Sequence, residues 1–426
     1  MRNQHGSPPP VNPLKDDKVI TQVREYELIT PLFGGGVFPM EADPVTLIRG
    51  TEIRGQLRFW WRACRAGHFD GNLAVIKEAE NKLWGTASKR EEDAILYSRT
   101  VQIVVESNAG NAKKPFDKSG NGKIRPNQNV APAYAAFPLQ PEEAQQRQPD
   151  LALKEVRCDV KFQLTITYPA ERQQEIEAAL WAWETFGGVG ARTRRGFGAL
   201  RLLKIDNQPN VDLPYNHTEV RAWVTKKLGL YVENGKTPDG LPHLSKNIQL
   251  ESTPPAQNPM WAWKDLIERL RGFRQARTNG TAGSSLWPEA DAIRAITRRG
   301  SLHGHPVKKF PRAAFGLPII FHFKDNRSGD PQDTTLQGPV GEIERLASPL
   351  ILRPFVCKNN QAVGLALILE GSRPIPRQLT LYEKGKNRSF PVEEQLTRDE
   401  AKEIHILNNE TDVLKAFMKS LGGNSR

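Results

Sequence analysis

The clearest pattern along the chain is a strict alternation of apolar and polar residues over positions 157–169. The apolar positions run from Cys158 to Tyr168, and one polar residue stands between each of them and the next. A period of two places successive side chains on opposite faces of a β-strand. The alternation therefore predicts a strand with one buried face and one polar face.

Two other segments have the spacing of amphipathic helices. Residues 171–186 place Ile176, Leu180 and Trp183 on one face and begin with acidic residues, which favour a helix N-terminus. In residues 51–67, at ~100° per residue, the apolar side chains fall in an arc of about 100° and four arginines fall in a separate arc of about 80°. The apolar set is Ile53, Leu57, Trp60, Trp61 and Cys64, and the arginines are Arg54, Arg58, Arg62 and Arg65.

These four arginines have few acidic neighbours in the sequence. Glu52 is the only acid between Asp43 and Asp70. Because the planar guanidinium group suits phosphate oxygens, the arginine face of this helix is a candidate surface for a nucleic-acid backbone. The alternative is a set of solvated arginines that pair with nearby acids.

The order of the predicted elements indicates the fold class. Strands are also predicted at 20–32, 99–106 and 197–205, which gives strand, helix, strand, long segment, strand, helix, strand. This is the βαββαβ order of the ferredoxin-like (RRM-like) fold. We therefore expect an α+β protein whose first such domain spans 18–206, with a long insertion between its second and third strands.

Composition divides the rest of the chain. Residues 1–17 are expected to be a disordered tail, and residues 207–259, rich in Pro and Asn, a linker or irregular segment. Residues 260–426 contain further predicted helices and a predicted hairpin. We expect a second ferredoxin-like α+β domain there.

A glycine-rich loop, "GGVGARTRRGFG", occupies residues 187–198. It follows a predicted helix and leads into a strand, whereas the P-loop and the dinucleotide-binding GxGxxG loop both run from a strand into a helix. This order argues against both kinds of nucleotide site. Glycine N–H groups can approach an anion closely and the arginines add positive charge, so the loop is a candidate clamp for RNA phosphates. Its candidate residues are Gly187, Gly188, Gly190, Arg192, Arg194, Arg195, Gly196 and Gly198.

The charge of the chain points to the same class of partner. The net charge is +12, which indicates a polyanion such as a nucleic acid. Positive charge is concentrated in residues 269–312, where ten basic residues stand against Glu289 and Asp291. Basic segments in both halves of the chain suit a long polymer better than a small ligand. The candidate RNA contacts in this second segment are Arg277, Arg294, Arg298, Lys308, Lys309 and Arg312.

The composition argues against several other classes. The three cysteines, Cys64, Cys158 and Cys357, are far apart and fit neither a disulfide framework nor a cysteine-rich metal site. No apolar run approaches the ~20 residues that a membrane-spanning helix needs, and the N-terminal residues lack the apolar region of a secretory signal. We expect a cytoplasmic protein that uses no cofactor and no metal.

Several motifs together resemble the RAMP superfamily of CRISPR proteins. They are "ITPLFGGG", "EIRGQLRFWWRA", "AAFPL", the glycine-rich loop, and the later stretches "SSLWPEADAIR", "FPRAAFGLPIIF" and "RLASPLILRPF". Within the superfamily they are similar to the RAMP subunit that caps the head end of the Cmr (type III-B) effector complex. The resemblance extends over residues 20–370.

The resemblance implies ferredoxin-like domains whose glycine-rich loop lines the RNA-binding side. It also implies a subunit without catalytic activity that holds the 3′ part of the guide (CRISPR) RNA and the matching end of the target RNA. Other Cmr RAMP subunits would be its partners in a hetero-oligomeric antiviral complex. The arginines of the first helix and of the loop are the expected RNA contacts.

Two alternatives remain open from the residues. A metal-independent RAMP endoribonuclease needs a general base near a 2′-hydroxyl, and His68 and the pair His303 and His305 are the candidates. A protein that serves only in assembly would use its basic surface to meet acidic partner subunits. A zinc site at the "HGH" stretch is weaker, because the sequence places no third ligand.

Overall fold

The computed structural model describes most of the chain. The predicted tail at 1–17 lies outside the described residues, as does His303. The described residues are 18–36, 38, 40–43, 45–86, 100–120, 122–141, 151–278, 284–300, 304–323, 329–339, 345–386 and 388–422.

The secondary structure is mixed, with short helices between small antiparallel sheets. The helices are α1 (Gly50–Arg65), α2 (Leu73–Trp84), α3 (Ala133–Ala136), α4 (Gln173–Phe186), α5 (Val220–Tyr231), α6 (Pro259–Arg274), α7 (Glu289–Thr297), α8 (Arg398–Lys402) and α9 (Val413–Gly422). The strands are β1 (Val19–Leu28), β2 (Gln102–Ser107), β3 (Asn111–Lys113), β4 (Phe116–Lys118), β5 (Ile124–Pro126), β6 (Val156–Cys158), β7 (Lys161–Pro169), β8 (Leu200–Ile205), β9 (Gln208–Pro209), β10 (Leu250–Ser252), β11 (Ile319–Phe321), β12 (Thr334–Gln337), β13 (Leu350–Val356), β14 (Ala362–Ile368), β15 (Leu379–Glu383) and β16 (Arg388–Val392).

The N-terminal part is built on a five-stranded antiparallel sheet in the order β2-β7-β1-β8-β9. The alternation predicted for 157–169 is confirmed over β7, because Phe162, Leu164 and Ile166 are buried while the residues between them are not. The predicted strand is interrupted at Asp159, where φ is 56°, so that β6 pairs with β3 outside this sheet. The predicted order of strand, helix, strand, insertion, strand, helix and strand over 18–206 is the order observed.

Helices α1 and α4 pack against each other over this sheet. The apolar arc predicted for α1 is confirmed, since all five of its side chains are buried. The residues between β2 and β7 form two small pairs of strands, β3 with β6 and β4 with β5. The single helical turn α3 follows β5. The insertion is therefore folded over much of its described length.

The second half forms two further sheets. One has three strands in the order β10-β14-β13, with α6 packed against β13 and β14 and with α9 against β10. The other has four strands in the order β11-β12-β15-β16 and shares a core with α7. All of these pairs are antiparallel.

This arrangement differs from the ferredoxin-like domain predicted for 260–426. In the part of the chain that the structure describes, the β10-β14-β13 sheet has three strands and not four, and β10 comes from the segment 207–259 that was expected to be a linker. In that segment α5 also packs on α4. The differences arise because these strands are short and their partners are distant in sequence, so no local pattern reveals the pairing.

The two halves share their hydrophobic cores. One core joins side chains of α1 and α4 to Phe355 and Val363 on the β13–β14 hairpin. A second joins Phe33 and Phe197 beside the glycine-rich loop to Trp263 of α6. No described helix combines the length and the apolar character needed to cross a membrane.

A buried arginine connects the halves by hydrogen bonds. Arg353 of β13 is 1% exposed, and its guanidinium donates to the main-chain carbonyls of Glu184, Gly187 and Leu200, each at 2.8 Å. The first two carbonyls lie at the C-terminus of α4, where carbonyls lack partners within the helix and carry its negative dipole end. Burial lowers the pKa of Arg353 to about 9, although the nearby Glu184 carboxylate opposes the shift.

Two arginines of the glycine-rich loop make the reciprocal contacts. Arg194 donates to the carbonyl of Ser348, and Arg195 donates to the carbonyl of Leu350 at 2.9 Å. Each half thus supplies arginines to main-chain carbonyls of the other half. We refer to Arg353, Arg194 and Arg195 as the arginine clasp.

Replacement of Arg353 by Met is expected to lower the free energy of unfolding by about 3–5 kcal/mol, because it leaves buried carbonyls without donors. Chemical denaturation followed by circular dichroism measures the change. Arg398→Met, at the exposed start of α8, is the control and should change stability by less than about 0.5 kcal/mol. Equal unfolding midpoints for the two variants would show that the clasp is not required for stability.

Candidate nucleic-acid interface

The glycine-rich loop is packed tightly between the two halves. Gly196 has φ 85°, and a Cβ there would lie 2.4 Å from Nε1 of Trp263. Gly198 has φ 60°, and a Cβ there would lie 1.9 Å from the carbonyl oxygen of Val189. Left-handed backbone and these close approaches both require glycine. The glycines therefore serve the packing of the loop.

The N–H groups of the loop already have acceptors. Gly187 donates to Trp183 at 2.8 Å, Gly196 to Thr193 at 3.0 Å and Gly198 to Pro31 at 2.9 Å. Gly188 is buried, and its carbonyl accepts from Nε1 of Trp183. These contacts correct the expectation that the N–H groups of Gly187, Gly196 and Gly198 are available to RNA phosphates.

Gly190 is the member of the loop whose N–H is held by an acid. It donates to a carboxylate oxygen of Glu52, the acid near the start of α1. Burial raises the pKa of Glu52, while the bond from Gly190 and the nearby Arg49 oppose the shift. An internal carboxylate thus occupies the position at which a phosphate was expected to bind.

The arginines of α1 are paired with acids from other elements. Arg58 and Arg62 both bind Oε1 of the buried Glu80 on α2, at 2.5 Å and 2.6 Å, and Arg65 binds Glu233 at 2.8 Å. These acids lie outside the stretch between Asp43 and Asp70, and the tertiary fold brings them to α1. Arg54 lies half-buried on the same helix.

The basic segment 269–312 does not form one patch. Arg294 pairs with Asp291 and Asp330, and Lys309 pairs with Glu393. Arg312 pairs with the buried Glu289 at 3.1 Å. Arg277, Arg298 and Lys308 are exposed. Three of the six candidate contacts in this segment are therefore held in internal ion pairs.

A different group of cations remains without acidic partners. Arg192 is exposed and holds a left-handed backbone with φ 57°. Arg195 lies behind it and also approaches the carbonyl of Phe315, at 3.5 Å. Arg274, the last residue of α6, stands over the rings of Phe315 at 5.2 Å and of Tyr134 at 5.9 Å. We refer to Arg192, Arg195, Arg274 and Tyr134 as the arginine cluster.

The positive charges of the arginine cluster repel one another. Burial lowers the pKa of Arg195 to about 9, and the positive charges of Arg274 and Arg192 add to the shift. Burial also lowers the pKa of Arg274. Among the described residues, no carboxylate forms an ion pair with Arg192, Arg195 or Arg274. An anion from outside the chain would relieve this repulsion.

Sequence reasoning found two of the cluster's cations and missed its geometry. Arg192 and Arg195 were candidates, and Arg274 was counted in the basic segment without being selected. Tyr134 belongs to the insertion, where no periodic pattern indicates which residues face the rest of the fold. The stretch "AAFPL", which begins one residue after Tyr134, was the available signal.

A known protein family matches the N-terminal part of the chain. Residues 25–201 match the RAMP superfamily. The match runs from within β1 to the start of β8 and includes α1, α4 and the glycine-rich loop.

Two curated relatives come from Pyrococcus furiosus. The chain is 28% identical over 182 residues to CRISPR system Cmr subunit Cmr1-2, which is 42% of this chain and 92% of that protein. It is 24% identical over 167 residues to CRISPR system Cmr subunit Cmr1-1, which is 39% of this chain and 44% of that protein.

A solved structure has a similar fold over nearly the whole chain. It is a chain in the cryo-EM structure of the Type III-B Cmr-beta bound to cognate target RNA and AMPPnP. The TM-score is 0.52 at 14% sequence identity, and the likeness covers 95% of this chain and 99% of that chain. The likeness of fold therefore includes the second half of the chain.

Two of the histidines named as candidate general bases, His68 and His305, lie among the described residues. His68 is exposed and contacts the ring of Phe69. Nδ1 of His305 accepts from the backbone N–H of Val307 at 3.2 Å, and partial burial lowers the pKa of His305. In the part of the chain that the structure describes, no three His, Cys, Asp or Glu side chains are placed to hold a metal ion.

Replacement of Glu80 by Gln is expected to lower the free energy of unfolding by about 1.5–3 kcal/mol, because Arg58 and Arg62 lose their charged acceptor. RNA affinity should not fall, because these arginines act inside the fold. Glu78→Gln on the same helix removes an exposed i,i+4 pair with Lys82 and is the control. Denaturant unfolding measures the stability of both variants, and RNA titration measures their affinity. A loss of RNA affinity without a loss of stability would show that the arginines of α1 contact RNA.

Proposed function

We propose that this protein is the Cmr1-type subunit of a type III-B CRISPR effector complex in the cytoplasm. In that complex it caps the backbone filament and grips the 3′ part of the guide RNA, the guide–target duplex, or both. Its partners are guide RNA, target RNA and other Cmr RAMP subunits, and its role in antiviral defence is binding without catalysis. The match to the RAMP superfamily and the two Cmr1 relatives support this proposal.

The observation that carries the proposal is that the arginines of the cluster lie close together without a carboxylate paired to any of them. In the same chain, Arg24 is buried beside Glu177 and Glu184, at 2.6 Å and 3.0 Å, and needs no further anion. Among the described residues, no ion pair joins Arg192, Arg195 or Arg274 to a carboxylate, and the acid that acts on Arg274, Glu289, already pairs with Arg312. Because isolated charges are costly to desolvate, a cluster of this kind is best explained by an anionic ligand.

The proposed grip is independent of base sequence. Arginine contacts to phosphate position an RNA strand without reading its bases, and base pairing between guide and target supplies the sequence information. The arginine clasp contributes by fixing the loop, because Arg194 and Arg195 are anchored to carbonyls of the second half. Arg192 is then presented to solvent from a rigid loop.

An endoribonuclease is less well supported. Nδ1 of His305 already accepts a backbone N–H. The insertion, which supplies Tyr134 to the arginine cluster, contains no histidine. A role in assembly alone gives no reason for unpaired arginines between Tyr134 and Phe315, since an acidic partner protein would be expected to meet exposed cations.

Replacement of Arg192 by Glu is expected to weaken binding of unrelated single-stranded RNAs alike, by about 10-fold at 0.1 M salt. The slope of log affinity against log salt should fall by about 1, because one phosphate contact is lost. Fluorescence anisotropy with the full chain measures both quantities.

The matched control is Lys226→Glu, which makes the same charge change at an exposed position of α5. It should change affinity far less than Arg192→Glu. Equal losses in both variants would mean that only net charge matters, and loss confined to one RNA sequence would indicate base recognition.

A further inference from the structure

The arginine cluster brings together side chains from three separate parts of the chain. Arg192 and Arg195 come from the glycine-rich loop, Arg274 from the end of α6 and Tyr134 from the insertion. Arg195 and Arg274 meet at Phe315, through its carbonyl at 3.5 Å and its ring at 5.2 Å. The backbone of Arg274 is itself fixed, since its carbonyl accepts from Arg312 at 2.9 Å.

The cluster contains a buried hydrogen-bond donor without an acceptor. Nε of Arg274 is buried and has no hydrogen-bond partner among the described residues. The nearest compensating carboxylate is Glu289, which pairs with the neighbouring Arg312 at 3.1 Å and acts on Arg274 only through its charge. A buried donor without an acceptor costs free energy, so a ligand oxygen at this position would be favourable.

The members of the cluster differ in depth. Arg192 is exposed, while Arg195 and Arg274 lie deeper, between Phe315 and Tyr134. The positive charges of Arg192 and Arg274 both act on Arg195. Three such charges exceed the single negative charge of an internal phosphodiester.

We propose that the arginine cluster is a binding site for the terminal phosphate of an RNA strand. A phosphomonoester carries about −1.5 to −2 charges at neutral pH and three acceptor oxygens, which suits three guanidinium groups and the Tyr134 hydroxyl. This inference rests on the proposed function, because it names the part of the RNA that the same site takes.

The test uses one RNA sequence prepared with a 3′-phosphate, with a 5′-phosphate, and with hydroxyl groups at both ends. Titration of the full chain should show that one phosphorylated form binds at least ten-fold more tightly than the hydroxyl form. Arg192→Gln should abolish this preference, while Lys226→Gln should retain it. Arg274→Gln should also abolish it, and the exposed Arg192 variant keeps the test decisive if the buried variant does not fold.

Competition identifies the source of the phosphate. A short oligonucleotide with the preferred phosphorylated end should displace the RNA far more effectively than inorganic phosphate at the same concentration. Equal competition by inorganic phosphate would overturn the assignment to an RNA end. Equal affinity for the three RNAs would overturn the inference and leave RNA binding intact, whereas no binding of any RNA would overturn the proposed function itself.

Discussion

The rest of the structure depends on the buried guanidinium of Arg353. It satisfies three main-chain carbonyls of the other half, two of them at the C-terminus of α4, directly before the glycine-rich loop. A guanidinium is suited to this role because its donors are rigid and numerous, and because three carbonyls together can compensate one desolvated charge. The start of the loop is thereby fixed to β13.

The same constraint explains why the loop is glycine-rich and why its arginines differ in role. With β13 and α6 held close, side chains at Gly196 and Gly198 would collide with Trp263 and with the carbonyl of Val189. Arg194 and Arg195 complete the clasp with carbonyls, so Arg192 is the loop arginine left at the surface. Packing between the halves thus determines which loop arginine is exposed.

The sequence predicted those features that follow from local periodicity. The alternation in β7 and the apolar arc of α1 gave the correct buried faces, and the element order of the N-terminal sheet followed from them. The roles of the arginines on α1 could not be predicted, because Glu80 and Glu233 are distant in sequence and approach only in the folded chain.

The contacts of the glycine-rich loop and of the arginine cluster could not be predicted from the sequence either. The glycine-rich loop was identified from composition, but whether its N–H groups were free depended on Phe33, Pro31 and Glu52, which belong to other segments. No periodic pattern in the insertion indicated that Tyr134 faces the rest of the fold. Charge counts along the sequence show where basic residues are. Only the tertiary structure shows which of them pair with acids inside the fold and which do not.

The most direct test of the central claim is a map of RNA–protein crosslinks in the assembled ribonucleoprotein complex. Ultraviolet crosslinking followed by peptide mass spectrometry should place RNA on the peptides that contain Arg192–Arg195 and Tyr134, where the three parts of the arginine cluster meet. Crosslinks confined to other surfaces, such as the arginine face of α1, with none on the loop or on the Tyr134 peptide, would contradict the account.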